Sequence, residues 1–309
     1  MLRCINRALA FGLALATLSA AHAWAHAVCG DRVFPATLVM DDPGVSDELS
    51  LPTIQYLPIP ASGGVPGGHS VDYGFEWDKN ITRDLGFAIN DDYFTQHVAG
   101  KSLDGWDNVT LTLKDELPCS EAHEFMVSIG VIHEFGGTGS SLLRQAGAID
   151  AAGNTAPTLY IGKGFGDLPD SVPYLKPFAV TGELGYQVSD NASVDPNQWA
   201  YAASLQYSIP YLNQNIKALN VPEFVTRLVP LVEVSLSNSS TGPATGTISP
   251  GIYYIGDLYQ IAAEAMIPAN AATRALQGTG FIVQFHVFLD DLPPSFVSRP
   301  IINKDLWQW

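Results

Sequence analysis

Short segments in which apolar residues alternate with polar or small residues recur along most of this sequence. In residues 71–77, three aromatic side chains and a valine occupy every second position, between Asp72, Gly74 and Glu76. Successive side chains of a β-strand point to opposite faces, so a period of two predicts strands with two unlike faces. The clear segments are 71–77, 85–89, 109–113, 125–135, 178–187, 198–209, 232–237, 259–267 and 281–289, and the weaker ones are 49–58, 156–165 and 247–256.

These segments predict an all-β fold, an antiparallel up-and-down transmembrane β-barrel of about 12 strands. The even number agrees with the even strand numbers of bacterial barrels. A strand of ~10 residues tilted by ~45° rises about 23 Å, which matches the apolar band of an outer membrane. Short connections at 78–83, 117–123 and 256–257 are expected at the periplasmic end. Longer ones alternate with them, at 59–68, 90–105, 136–155, 189–196, 237–246 and 268–279.

Two of the predicted periplasmic connections are longer than this rule expects. Residues 166–176 are rich in proline, and residues 210–226 hold a predicted short amphipathic helix near Asn213 to Asn220.

The composition favours a membrane barrel over a soluble β-sandwich, whose strands also alternate. Charged residues make up only 15% of the chain, and the less apolar strand faces are mostly Gly, Ala, Ser, Thr and Gln. A sandwich surface in water would carry many Lys and Glu residues there. Aromatic residues such as Trp77, Trp199 and Tyr207 recur near strand ends, as in interfacial girdles. A soluble, secreted β-sandwich binding protein is kept as an alternative.

The N-terminus predicts export to the outer membrane of a Gram-negative cell. Residues 1–27 combine two arginines with an apolar run and two Ala-His-Ala motifs, so we expect a signal peptide cleaved after Ala27. Its removal takes two positive charges from the formal net charge of −16, which leaves −18. The predicted regions that follow are a periplasmic N-terminal segment at 28–48, the barrel at 49–290 and a periplasmic tail at 291–309.

Two cysteines remain after cleavage, and both are predicted to lie at the periplasmic end. Cys29 precedes the first barrel strand, and Cys119 lies in a short turn. In an exported protein such a pair can oxidise, so the alternatives are a disulfide and two free thiols.

Polar side chains on the inward strand faces are predicted to line a pore. They are Asp72, Glu76, Lys114, Glu134, Glu183, Gln206, Glu233, Glu264 and His286. Their excess of carboxylates predicts a negative potential that favours cations, so neutralising Glu183 and Glu233 should lower cation over anion permeability. An inward apolar group that includes Met126, Leu231 and Met266 points to hydrophobic or aromatic solutes. The alternative is a packed, solvated lumen.

The width of the barrel limits what can pass. A twelve-stranded backbone radius of roughly 12 Å leaves an opening of about 10 Å at most. Residues 28–48 are expected either to plug this opening from the periplasm or to form a disordered leader.

Several function classes are disfavoured. Only 15 Lys and Arg residues are spread along the chain, which leaves no basic stripe for a nucleic acid. His133 and Glu134 lie on opposite faces of one predicted strand, so they do not form a metal site together. His133 also lacks an outward serine partner, which argues against a membrane-embedded Ser–His hydrolase. We therefore expect no enzyme activity, metal or cofactor.

Four stretches of the sequence resemble a known family. They are residues 29–37 (CGDRVFPAT), 47–53 (DELSLPT), 162–171 (GKGFGDLPDS) and 177–182 (PFAVTG). They are similar to outer-membrane proteins of the meta-pathway of phenol degradation family, uncharacterised proteobacterial barrels labelled as transporters. The resemblance spans most of the mature chain, implies the barrel fold more than any substrate, and supplies no catalytic residue.

The sequence as a whole predicts a monomeric outer-membrane channel through which small solutes, hydrophobic or aromatic ones included, pass passively. Its expected partners are membrane lipid and the solute. A non-conducting barrel with a structural or adhesive role, acting through its long loops, is the second alternative.

Overall fold

One closed antiparallel sheet dominates the computed structural model, which describes residues 27–292 and 299–302. A hairpin of β1 (Ala27–Cys29) and β2 (Arg32–Phe34) precedes it. The strands of the large sheet are β3 (Glu48–Ile59), β4 (Gly68–Asn80), β5 (Leu85–Val98), β6 (Lys101–Trp106), β7 (Thr110–Glu116), β8 (Phe125–Glu134), β9 (Asn154–Gly164), β10 (Phe178–Ser189), β11 (Gln198–Tyr207), β12 (Leu228–Ser239), β13 (Thr245–Ile255), β14 (Tyr259–Pro268) and β15 (Gly280–Phe288).

The ring of the large sheet has twelve strand positions. β6 and β7 share one position, because both pair with the same side of β5. The remaining neighbours pair in chain order, and β15 pairs with β3 to close the ring. The predicted twelve-stranded antiparallel barrel is therefore confirmed, and the sandwich is excluded because one sheet closes on itself.

The predicted loop at 90–105 is wrong, because β5 continues to Val98 and returns as β6. The turn residues Ala99 and Gly100 have positive φ angles of 51° and 76°, as a two-residue type I′ hairpin requires. The polar run at residues 90–92 interrupts the alternation, which gave this region the pattern of a loop. A strand with polar residues on both faces carries no period-two signal.

The outer face of the barrel is apolar and its inner face is polar. Ile129, Ile161 and Leu205 are between 41% and 50% exposed, whereas their chain neighbours Ser128 and Gln206 are at most 1% exposed. This arrangement is the reverse of that in a water-soluble β protein and is expected for a barrel surrounded by lipid. None of the helices among residues 27–292 and 299–302 is both long and apolar enough to cross a membrane.

The connections separate the two ends of the barrel. We call the end with the turn at residues 81–84 the near end, and the opposite one the far end. Helical turns at the near end are Glu121–His123, Pro173–Leu175, Ile209–Tyr211, Leu212–Ile216 and Glu223–Thr226, and those at the far end are Ser141–Ala146 and Ala271–Leu276. The helix predicted near Asn213 to Asn220 begins earlier, at Ile209, because the Ser208 hydroxyl accepts the Tyr211 N–H at 3.1 Å and caps it there.

Both ends of the described chain lie at the near end. Ala27, the first described residue, is 1% exposed and pairs with Phe34, while the predicted signal residues 1–26 lie outside the described residues. Of the predicted tail, Ile301 and Ile302 donate backbone hydrogen bonds to Asn80 and Ile81 at 3.0 and 2.7 Å. Residues 293–298 and 303–309 lie outside the described residues.

Candidate functional site

The candidate site is the lumen, which holds the chain that precedes β3. We call β1, β2 and the turn between them (residues 27–34) the root, and residues 36–47 the inner segment. The root lies at the near end, where Cys29 forms a disulfide with Cys119, with the two Cα atoms 6.0 Å apart. The inner segment enters the lumen from the root and returns to the near end, where Glu48 begins β3.

The root is held by a buried arginine that the sequence analysis missed. The Arg32 side chain is 1% exposed, and its Nε lies 3.0 Å from Oε2 of Glu124. Its two Nη atoms donate to the carbonyls of Pro177 and Lys176 at 3.1 and 2.6 Å. The guanidinium carbon lies 4.0 Å from the centre of the Tyr211 ring. A buried cation with a carboxylate, two carbonyls and an aromatic face is fully partnered, so it fixes the root to three near-end connections.

Three of the four stretches that carry the family resemblance meet at the root. A Cβ on Gly162 would lie 2.9 Å from Cγ of Pro43 and 3.1 Å from Cζ of Phe34, so only glycine lets β9 approach this closely. Phe34 itself is fully buried in a cluster with Cys29, Met126 and Ala179. Met126 and Ala179 are inward residues, so this part of the apolar inward face packs against the root.

The inner segment is held by carboxylates of the wall that accept its backbone N–H groups. Four acidic side chains take part, three of them on strands and Asp290 just after β15. Glu233 accepts from Leu38 and Val39 at 3.3 and 2.8 Å, Glu183 from Asp41 at 3.1 Å, Glu116 from Val45 at 3.1 Å, and Asp290 from Asp47 at 2.9 Å. Buried backbone donors need acceptors, so these carboxylates accept hydrogen bonds from the inner segment as the carbonyls of a neighbouring strand would in a sheet.

Other wall residues complete this contact. Lys114 donates to Oδ2 of Asp41 at 2.6 Å and to the carbonyl of Asp42 at 3.0 Å. Gln260 donates to the carbonyl of Ala36 at 2.7 Å, and the Ser128 hydroxyl donates to the carbonyl of Pro43. The wall therefore supplies both donors and acceptors to the inner segment.

Two acidic groups outside the strands have strongly raised pKa values. Burial raises the pKa of Asp42 to about 7, with Lys114 opposing the shift and Asp41 and Glu48 adding to it. Burial also raises the pKa of Asp290 to about 7, although the Asp47 N–H bond opposes the shift. Both groups therefore titrate near neutral pH, and both lie on or against the inner segment.

The other predicted pore residues face inward but differ in their surroundings. Glu264 and Gln206 are 3% and 1% exposed, and Glu264 accepts from the Tyr253 hydroxyl at 2.6 Å. Glu134 lies nearer the far end, where it accepts from the amides of Asn108 and Asn154 at 2.7 and 2.6 Å. These three do not line the lumen cavity described next.

That cavity, of about 420 Å³, lies between the inner segment and the wall of β3, β4, β5 and β7, and we call it the acidic cavity. Predicted residues Asp72, Glu76, Lys114, Glu183 and His286 line it. Asp72 accepts from Gln55 at 2.8 Å, and His286 contacts the Ser50 hydroxyl at 2.8 Å and Glu48 at 3.0 Å. The carboxylates on its lining are Asp41, Asp42, Glu48, Asp72, Glu76, Asp78, Asp92 and Glu183, against Lys114 and His286.

A second lumen cavity, of about 350 Å³, lies toward the far end and is mostly neutral. It shares Val39, Gln55 and Glu183 with the acidic cavity, so the two meet at the inner segment.

Two further side chains do not line the acidic cavity. Leu231 faces inward as predicted, in a buried cluster with Val229, Tyr253 and Ala262 against which Leu38 packs. Arg227 lies on the near-end rim beside Asp257.

The outward His133 has a hydroxyl partner, but it belongs to a threonine. Its Nδ1 lies 2.9 Å from Oγ1 of Thr155 on the neighbouring strand, and its ring packs edge-on against Phe135. Glu134 faces inward, as the alternation predicts. Within residues 27–292 and 299–302, no three His, Cys, Asp or Glu side chains are grouped as metal ligands.

No protein-family model and no curated protein matches the sequence, so membership of the phenol-degradation family stays a prediction. Among solved structures, the chain is similar to the KdgM porin (TM-score 0.46, 10% identity, 77% of this chain and 98% of that one). It is also similar to the NanC porin (TM-score 0.45, 9% identity, 77% and 98%) and to outer membrane phospholipase A from Escherichia coli (TM-score 0.42, 10% identity, 80% and 94%). Similarities of this size leave the function to be argued from the barrel itself.

Proposed function

We propose that the chain forms a narrow passage across the outer membrane and that the inner segment is its constriction. The apolar exterior and polar interior support a membrane location, with the near end facing the periplasm because the short turns at 81–84 and 256–258 lie there. The observation that carries the proposal is the acidic cavity between the inner segment and β3 to β5. Asp72 and Asp78 both line it, and six residues of a tilted strand rise roughly 15 Å.

The chemistry of the cavity favours small cations and polar molecules. Eight carboxylates against two basic side chains give a negative potential in a space with little water to screen it. A hydrophobic solute would have to displace the hydration of these groups at a high cost in free energy. Of the apolar inward residues that suggested such solutes, Met126 packs in the cluster of Phe34 and Leu231 in the cluster that contacts Leu38, whereas Met266 lines the second cavity.

Single-channel recording in planar bilayers tests the proposal. We expect small currents from the wild type and larger ones when residues 36–45 are replaced by a Gly–Ser linker of equal length. A linker change in the far-end connection 240–244 is the matched control and should leave the current unchanged.

The two possible negative results have different meanings. A protein that never partitions into membranes would contradict the location. A folded barrel without current, in both the wild type and the linker variant, would favour the non-conducting alternative. The non-conducting alternative would then be supported by the hydrogen bonds that join Glu233 and Tyr253 to each other and to the inner segment.

A further inference from the structure

A cluster of charged and aromatic side chains lies on the outer rim of the near end, outside the lumen. A cavity of about 400 Å³ there is formed by the end of the connection before β12 and by the short turn between β13 and β14. The lumen site uses none of these residues.

The charged part of this cluster is one arginine between two carboxylates. Nη1 of Arg227 lies 2.6 Å from Oδ1 of Asp257, and Nη2 lies 3.0 Å from Oε1 of Glu223. The two carboxylate side chains are about four-fifths exposed, at 79% for Glu223 and 82% for Asp257. The cluster therefore has one excess negative charge, and carboxylate oxygens remain accessible to a ligand.

The aromatic part faces the surroundings of the barrel. Tyr253 and Gln260 point inward and are fully buried, so Tyr254 and Tyr259 point outward, with ring centres 6.0 Å apart. Phe224 is 60% exposed beside them.

The cluster is continuous with the apolar band of the barrel. Ile252 on β13 and Ile261 on β14 are 48% and 49% exposed, two residues from Tyr254 and Tyr259 toward the far end. Tyrosines at such a boundary mark the headgroup level of a membrane. Acyl chains would lie along the isoleucines, and a headgroup would lie over Arg227 and its carboxylates.

We infer that this rim cluster binds a phospholipid whose headgroup carries a primary ammonium, as phosphatidylethanolamine does. The ammonium donates hydrogen bonds to Glu223 and Asp257, and the phosphate lies against the guanidinium of Arg227. A quaternary ammonium has no N–H to donate, and an anionic headgroup meets the excess negative charge. The inference rests on the proposed membrane location and does not require conduction.

Lipid retention by the purified barrel tests this site. Wild-type protein in detergent is incubated with equal amounts of phosphatidylethanolamine, phosphatidylcholine and phosphatidylglycerol, and bound lipid is counted by native mass spectrometry. We expect about tenfold more phosphatidylethanolamine than either competitor, as one charge-assisted hydrogen bond can supply. The double variant Glu223→Gln, Asp257→Asn should lose this preference.

The matched control is Asp170→Asn, which removes the exposed carboxylate of another near-end ion pair, 2.6 Å from Lys176. It should keep the preference, and heat-modifiable migration on gels checks that every variant is folded. Equal retention of the three lipids by the wild type, or an unchanged preference in the double variant, overturns the inference. Failure to enter membranes at all would contradict the location instead.

Discussion

The root and the inner segment are neighbours in the chain, yet the barrel holds them by different means. The root is fixed by a disulfide and by the Arg32 side chain, which is matched to Glu124 and Tyr211. The inner segment is fixed largely through its backbone, by carboxylates that accept N–H groups. We therefore expect the root to act as an anchor, and the inner segment to be the part that can leave the wall and return while it stays tethered.

The largest effect is expected from the root, in Arg32→Met. Loss of the guanidinium leaves Glu124 buried without its cation, which should lower the free energy of unfolding by about 3–5 kcal/mol. Urea unfolding in vesicles measures this, with exposed Arg274→Ala as the control. Adding Glu124→Gln should recover much of the loss, and no recovery would show that the pair is not the cause.

A smaller loss should follow removal of the disulfide in Cys29→Ser, Cys119→Ser. The bond restrains an unfolded loop of 90 residues, and such bonds contribute about 2–4 kcal/mol. Thiol reductant added to the wild type should reproduce the loss and should not change the variant. An effect of reductant on the variant would point to another target.

The inner segment should respond through conductance more than through unfolding. In Glu183→Gln, Glu233→Gln the amides accept the N–H groups more weakly, by about 1.4 kcal/mol, so the ratio of open to closed states should rise about tenfold. The control is Glu134→Gln, an inward carboxylate held by asparagines. If selectivity falls at constant current, these glutamates act only on the permeating ion, as the sequence alone predicted.

The smallest effect is expected from pH. The pKa of Asp42 is about 7 when the inner segment is docked, above its ordinary value of 3.8. Docking is therefore strongest below pH 4 and weakens as pH rises through 7, by at most about 1.4 kcal/mol per pH unit.

Current should accordingly rise between pH 6 and pH 7, where the docking free energy changes by less than about 1.4 kcal/mol, and Asp42→Asn should flatten that dependence. Asp170→Asn, at an exposed position, should not. A current that falls as pH rises would reverse the assigned sign.

The strands could be predicted from the sequence wherever lipid lies on one side and the lumen on the other. The period of two gave all twelve positions and the inward face of Glu183, Glu233 and His286. It failed at β6, because beyond the lipid band nothing forces the two faces to differ. The partners of the glutamates could not be predicted, because a backbone N–H has no signature in the sequence.

For Arg32, the sequence offers a sign of an unusual position but does not identify its partner. It lies between Cys29 and Phe34, where a charged side chain is unusual beside residues that become fully buried. Its carboxylate partner Glu124 is 92 residues away, and no pattern in the sequence connects the two.

The disulfide also bears on the order in which the barrel is made. Cys119 precedes β8 to β15 in the chain, so the bond to Cys29 requires none of those eight strands. A chain that oxidises early carries its N-terminal segment already attached to the growing sheet, and the later strands then close around it. The lumen would in that case never be empty, and the N-terminal segment would act as a template around which the last strands assemble.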